Sequence, residues 1–364
     1  MHGESAAAVS DAPITVAAHD RLSYARMGLL RVKGTIDVRQ FWPQGTSDAD
    51  TAVILVGVDA FQYQQAPGGP FKTTHAFEGA LLHGRQGAKA PIDSQGRVRV
   101  RLQGIDAPEL HYQPSPLGKS LKASLSQPVV DAYRALCHKY RQHWAESAAD
   151  ALLNFVSQGG KTVIPCTVTT LVNEPTDVFD TYARLVGDIW LQQQNVNRWL
   201  VRQGWVYPSF YDSMKNFEIS AVLKAWGPGK SKGRVATALA SAVGTLDFKL
   251  VYRSGAGMHV VSGADKGSVL YPKMFRRLVT WSAEKKAGVT NQSFQQFVAA
   301  GGDKYLRLAE YLDYLADGKK PKQYPLATVL GSGGKCSLRP ESTVFVEDPN
   351  SQLKKDNKIV HQWF

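Results

Sequence analysis

The sequence predicts an α+β fold. Two observations lead there. Five segments are rich in β-branched residues and alternate apolar with polar, the mark of half-buried strands. Helical stretches follow the third strand and the fifth, set off by glycine, proline and Asp/Ser turn chemistry. Residues 1–25 read as a mobile lead-in. From Gly28 to Val58 the segments GLLRVKGTIDV and TAVILVGV give two strands, joined by the loop FWPQGTSDAD with its Pro43 and Gly45. Residues 59–96, which hold Pro67-Gly68-Gly69-Pro70, read as a long insertion with one short helix. RVRVRLQGI over 97–105 is the third strand, with Val98, Val100 and Leu102 on one face and Arg97, Arg99 and Arg101 on the other. Pro108 ends it, because proline has no amide hydrogen for a ladder.

Helices are expected over 128–143 and 144–158, the second closed by Gly159-Gly160. KTVIPCTVTTLV (161–172) and ARLVGDIWL (183–191) are the fourth and fifth strands, with the loop NEPTD after the former. NVNRWLVRQG spaces Val196, Trp199 and Leu200 as an amphipathic helix with Gly204 as its stop. Residues 213–226 read as helical and GPGKSKG (227–233) as a linker. Beyond it, FKLVYRSGAGMHVVSG (248–263) suggests a hairpin. Residues 303–316 put Tyr305, Leu308, Leu312 and Leu315 on one helical face, and 340–346 suggest a strand. The organisation expected is a lead-in over 1–25, a domain over 26–233 with insertions at about 59–96 and 113–140, and a mixed α/β region of unknown fold over 234–364.

The 364 residues carry a formal charge of +12, and the excess is unevenly placed. Residues 227–364 hold 21 basic and 11 acidic side chains, a net of +10, against 22 and 20 in 1–226. A basic C-terminal third points to a polyanionic partner, most often nucleic acid, with docking of a protein partner as the alternative. Three cysteines without a CxxC pair exclude a disulfide scaffold and a zinc finger of the usual spacing. No apolar run is long enough to span a membrane. The first twenty residues lack the basic and apolar regions of a secretory leader, so a cytoplasmic location is expected.

Three short segments carry chemistry together: DADT at 48–51, RLQGIDAPE at 101–109 and DTYAR at 180–184. Asp50 and Asp106 lie at strand ends, where two carboxylates can share a hard divalent cation. Glu109 follows past a stiffening proline, placed to take a proton from water as a general base. Arg101 and Arg184, on separate strands, can grip a phosphate and stabilise charge growing on its oxygens.

These residues resemble the staphylococcal (micrococcal) nuclease, or thermonuclease, family. That family shows a D-G-D-T turn, an R-L-x-x-x-D-x-P-E segment, a D-x-Y-G-R segment and a V-N-x-x-L-V-x-x-G helix. The chain shows Asp48-Ala49-Asp50-Thr51, Arg101 to Glu109, Asp180-Thr181-Tyr182-Ala183-Arg184, and Val196 to Gly204 in the same order. The resemblance covers about 28–226. It implies an OB-fold, a five-stranded β-barrel with packed helices that binds oligonucleotides. It also implies a calcium ion on Asp50, Asp106 and the main-chain carbonyl of Ala107, with Glu109 as general base and Arg101 and Arg184 on the scissile phosphate. The reaction implied is endonucleolytic hydrolysis of DNA or RNA that leaves 3′-phosphates. Tyr207 and Tyr211 stand roughly where family tyrosines meet the nucleotide. Ala49 and Ala183 replace glycines of the pattern, and all five proposed catalytic and metal-binding side chains are present. A catalytically weak barrel that serves as a nucleic-acid or protein adaptor is the alternative, although such adaptors commonly lose the glutamate or an arginine.

Other signals carry less. Gly334-Lys335 and Gly229-Lys230-Ser231 lack the earlier glycine of a P-loop, because Val329 and Lys224 stand there. Cys137-His138 with His143 reads as helix packing rather than zinc binding. Arg276-Arg277 and Lys285-Lys286 read as a solvated helix face rather than a specific site, with added phosphate contacts as the alternative. With every proposed catalytic side chain before Trp226, chemistry is expected to survive removal of the basic third.

Overall fold

The computed structural model describes residues 27–84, 87–241, 252–253, 267–347 and 351–364. The expected mobile lead-in, residues 1–25, lies outside them. So does the expected hairpin over 248–263, apart from Tyr252–Arg253, which pair antiparallel with Tyr140–Arg141.

Five strands form a closed barrel: β1 (Gly28–Asp37), β2 (Thr51–Gln64), β3 (Arg97–Leu102), β4 (Val163–Val172) and β5 (Leu185–Leu191). The ring runs β1-β4-β5-β3-β2 and returns to β1. Every neighbouring pair is antiparallel except β3 and β5, which run parallel. This is the mixed barrel expected of an OB-fold. Alternation dictates its inside. Leu30, Val32, Ile36, Ile54, Val98, Val100, Leu102, Ile164, Val168, Leu185 and Ile189 are all buried.

Several element boundaries differ from expectation. β2 continues to Gln64 because its second half still pairs with β1, from Leu29–Gln64 to Val32–Phe61, past an irregularity between Val32 and Gly34. No helix occurs among the described residues of 59–96; the short strands Lys72–Thr73, Leu81–Gly84 and Gly87–Lys89 stand there instead. Helix α1 (Gln127–Leu136) stops at Cys137, and the chain turns extended at Tyr140–Arg141. Helix α2 (Ala145–Ser157) forms where expected. Helix α3 (Val196–Arg202) is capped by the Asn195 side chain, which accepts from the Arg198 N–H at 2.9 Å.

Helix α4 (Asn216–Lys230) takes in the first four residues of the expected linker. Gly229 serves close packing. A Cβ at Gly229 would collide with the Val201 carbonyl oxygen of α3.

The C-terminal region packs on the barrel's flank. Strand β6 (Phe210–Tyr211) pairs with β8 (Thr343–Phe345), which also pairs with β7 (Lys304–Arg307). Tyr305 therefore lies on a strand, and the helix expected over 303–316 begins only at Leu308. Helix α5 (Pro272–Ala287) buries Met274, Phe275, Leu278 and Val279. One contiguous apolar core holds Leu30 of β1, Phe275 of α5 and Trp363 near the C-terminus. Trp363 stacks on Tyr63 of β2 with ring centroids 4.0 Å apart.

Candidate active site

The site lies where β3 leaves the barrel. Gly104 turns the chain there with φ 76°, and a Cβ would press on Val222 of α4. Its carbonyl accepts from the Ser209 N–H at 2.9 Å, and Ile105–Asp106 pair with Tyr207–Pro208. From the other side, the fully buried Asn197 donates to the carbonyls of Gln103 (3.0 Å) and Gly187 (3.2 Å) and accepts from the Ile189 N–H (3.1 Å). Helix α3 thus fixes the segment that carries Asp106.

Asp50 and Asp106 converge on Arg101. Its Nη1 pairs with Asp50 Oδ2, and its Nη2 lies 2.6 Å from Asp106 Oδ1. Both carboxylates are buried. Asp50 also accepts from the Ala107 N–H at 2.8 Å, which ties the turn before β2 to the loop after β3. Burial opposes the charge on both acids. The Arg101 guanidinium and the Ala107 N–H hold Asp50 below the usual carboxylate range. Asp106 ends higher, because burial and the neighbouring Asp50 outweigh the pull of Arg101 and Arg276.

Glu109 is buried, and its main chain is clamped by Gln142 through two hydrogen bonds of 2.8 Å. Burial pushes its carboxyl up to about 8; Asp48, Asp106 and Asp50 add to the rise and Arg276 opposes it. A general base is most useful when poised near the working pH. Asp48, two residues before Asp50, accepts from the Leu110 N–H and the His111 ring, each at 3.1 Å, and so binds the first turn to the loop around Glu109.

Arg184 reaches the same region, close enough to Asp50 to lower its pKa. Its Nη2 pairs with Asp180 at 2.7 Å, and its guanidinium lies 5.3 Å over the Tyr182 ring. Asp180 builds this turn by accepting from the N–H groups of Tyr182 and Arg184, each at 2.9 Å. Ala183 sits at φ 63°, the left-handed conformation that favours the family's glycine. That conformation costs a side-chain-bearing residue about 1–2 kcal/mol. A glycine gives back part of that through its freer unfolded chain, about 0.4–1 kcal/mol. Ala183→Gly is therefore expected to stabilise the protein by roughly 0.5–1 kcal/mol, seen as a higher denaturation midpoint. A lower midpoint would refute the strain. Ala49, the other replaced glycine, keeps a φ open to any residue.

The two tyrosines part company. Tyr207 is fully buried, packs near Trp226 and Tyr271, and donates its hydroxyl to the Val235 carbonyl at 2.7 Å. A ring without exposed surface cannot stack on a nucleotide, so its expected substrate role is corrected to a core role. Tyr211 stays partly exposed. Burial and the Asp106 carboxylate raise its hydroxyl pKa while Arg101 and Arg276 oppose, which places it beside the cluster.

Arg276 is the second correction. Expected on a solvated face, it enters the site from α5. Its Nη1 pairs with Glu109 Oε1 and its Nη2 lies 3.7 Å from Asp106 Oδ2. Sequence reasoning also missed Gln142, which left no local signal, and assigned no role to Asp48 and Asp180, although both stand in the motifs it quoted.

Residues 99–227 match the family model of staphylococcal nuclease homologues. No curated protein matches the chain. The nuclease-homologue match takes in Arg101, Asp106, Glu109 and Arg184. The barrel's first two strands, Asp50 and the whole of α5 lie outside the matched residues, yet the fold brings Asp50 and Arg276 to the same cluster.

The family implies a bound divalent cation, and the donor set fits one in chemistry. Asp50 and Asp106 supply hard oxygens, with Asp50 near enough to disfavour the charge on Asp106. Among the described residues no group of three or more His, Cys, Asp or Glu is placed to hold a metal. A cation here would rest on two carboxylates, main-chain oxygen and water.

Proposed function

We propose that the protein is a metal-dependent nuclease that hydrolyses phosphodiester bonds of DNA or RNA. The observation that carries this reading is the meeting of Glu109, Asp50 and Asp106 with the guanidiniums of Arg101 and Arg276 at one end of a nuclease-like barrel. Glu109 takes a proton from water as the water oxygen attacks phosphorus in line. The P–O5′ bond breaks, its electron pair leaves with the 5′ oxygen, which takes a proton from solvent to become a hydroxyl, and the other strand end keeps a 3′-phosphate. Arg101 and Arg184 bind the non-bridging oxygens, where charge builds. A calcium ion held by Asp50, Asp106 and the Ala107 carbonyl would polarise the phosphoryl group.

Incubation of the purified full chain with plasmid and single-stranded DNA, in calcium, magnesium or EDTA, tests the reading. Cleavage in a divalent cation and none in EDTA is expected. Bound but intact DNA under every condition would favour the adaptor. Asp50→Ala and Asp106→Ala are each expected to weaken calcium binding in calorimetry. Unchanged affinity in both would place the metal elsewhere.

A further inference from the structure

Arg276 belongs to a helix outside the nuclease-homologue match, yet its guanidinium touches the proposed base. We propose that Arg276 is a third phosphate-binding arginine of this site, taking a non-bridging oxygen of the nucleic-acid backbone beside Arg101. The inference rests on the nuclease reading.

The position of Arg276 is built into the fold. Tyr112 Oη and Thr280 Oγ1 of α5 share a hydrogen bond of 2.8 Å. Just before the helix, the Leu270 carbonyl accepts from Gln142 Nε2 at 2.8 Å, the same glutamine that clamps Glu109. Tyr271 Oη donates to Ser209 Oγ at 2.8 Å, beside the strand pair that holds Asp106. Met274, Phe275 and Leu278 bury the helix's apolar face. A guanidinium on so firmly docked a helix is preset, as charge stabilisation in a site requires.

Arg276 is also open to a ligand. Its side chain is 32% exposed, against 14% for Arg101. A guanidinium has five N–H donors, and the two carboxylate contacts leave donors for phosphate. The helix neighbours of Arg276 are otherwise engaged. Arg277 Nε lies 2.8 Å from Asp303 Oδ2, and Lys273 Nζ lies 3.6 Å from Asp303 Oδ1.

The test measures binding of a short, fluorescein-labelled single strand by anisotropy across a range of salt. All variants are full-length chains in a Glu109→Gln background, which blocks cleavage and removes the carboxylate that Arg276→Ala would otherwise leave unpaired. Arg276→Ala is expected to weaken binding by ~10–100-fold, the usual range for a charged hydrogen bond. It should also flatten the slope of log K against log salt by about 0.7, one phosphate contact on a single strand. Arg276→Lys should restore the slope and only part of the affinity, because a point charge replaces a fork of donors. Arg277→Ala should change neither. If Arg276→Ala fails to fold, Arg276→Gln, which keeps the stem, is read in its place. A parent that binds with an Arg276 variant that binds equally or more tightly overturns this inference alone. A parent that binds no oligonucleotide overturns the nuclease reading and this inference with it.

Discussion

Glu109→Gln is expected to lower turnover by roughly 10²–10⁴, the range for loss of a positioned general base, while nucleic-acid binding persists. The substitution keeps the side chain's size and an oxygen for Arg276, and it removes the ability to accept a proton. The fold should tolerate it. Gln142 holds residue 109 by main-chain contacts, which the amide does not disturb. A buried, unneutralised carboxylate is costly, and burial already raises the proton affinity of this one. Single-turnover cleavage with the protein in excess separates chemistry from binding. A variant within threefold of wild type would remove Glu109 from the mechanism.

The second large effect concerns the C-terminal region. A chain ending at Gly233 is expected not to fold. Its loss would strip Tyr271, Met274, Phe275 and Leu278, all nearly fully buried, from the shared core. It would also leave β6 without its strand partner and Tyr63 without Trp363. Each fully buried large apolar side chain contributes about 1.5–3 kcal/mol, and a domain's whole net stability is about 5–15 kcal/mol. A handful of such losses consumes it. The expectation from sequence that chemistry survives this truncation is thereby reversed, and the truncation also removes Arg276. Size-exclusion chromatography and thermal melting of the truncated chain decide the matter. A soluble monomer with a cooperative transition near that of the full chain would contradict the shared core.

The strands were legible where they alternate, as in Arg97–Leu102, where a period of two leaves one solution for the inward face, while their closure into a barrel was implied only by the family resemblance. The spacing within each motif was legible because it is local, as Asp180 and Arg184 are four apart, whereas the third strand ends at Leu102, before the Gly104 turn, and not at Pro108. What escaped was non-local. Arg276 and Glu109 stand 167 positions apart, and nothing in the Arg276-Arg277 pair itself says which arginine turns inward. Glycine misled at Gly229, whose missing side chain serves a close crossing with α3 rather than a flexible joint. Tyr207 misled because its place after the helix fits a substrate role, while its burial depends on Val235 and Tyr271 from later segments.

The central claim is that this cluster cleaves phosphodiesters by water attack at phosphorus. Its most direct test is end-group analysis of a short labelled strand incubated with the full-length chain and calcium. The expected products carry 3′-phosphate and 5′-hydroxyl ends, appear with the wild-type chain, and fall away together in Glu109→Gln and in EDTA. A strand that stays bound and uncut in calcium and in magnesium would contradict the claim.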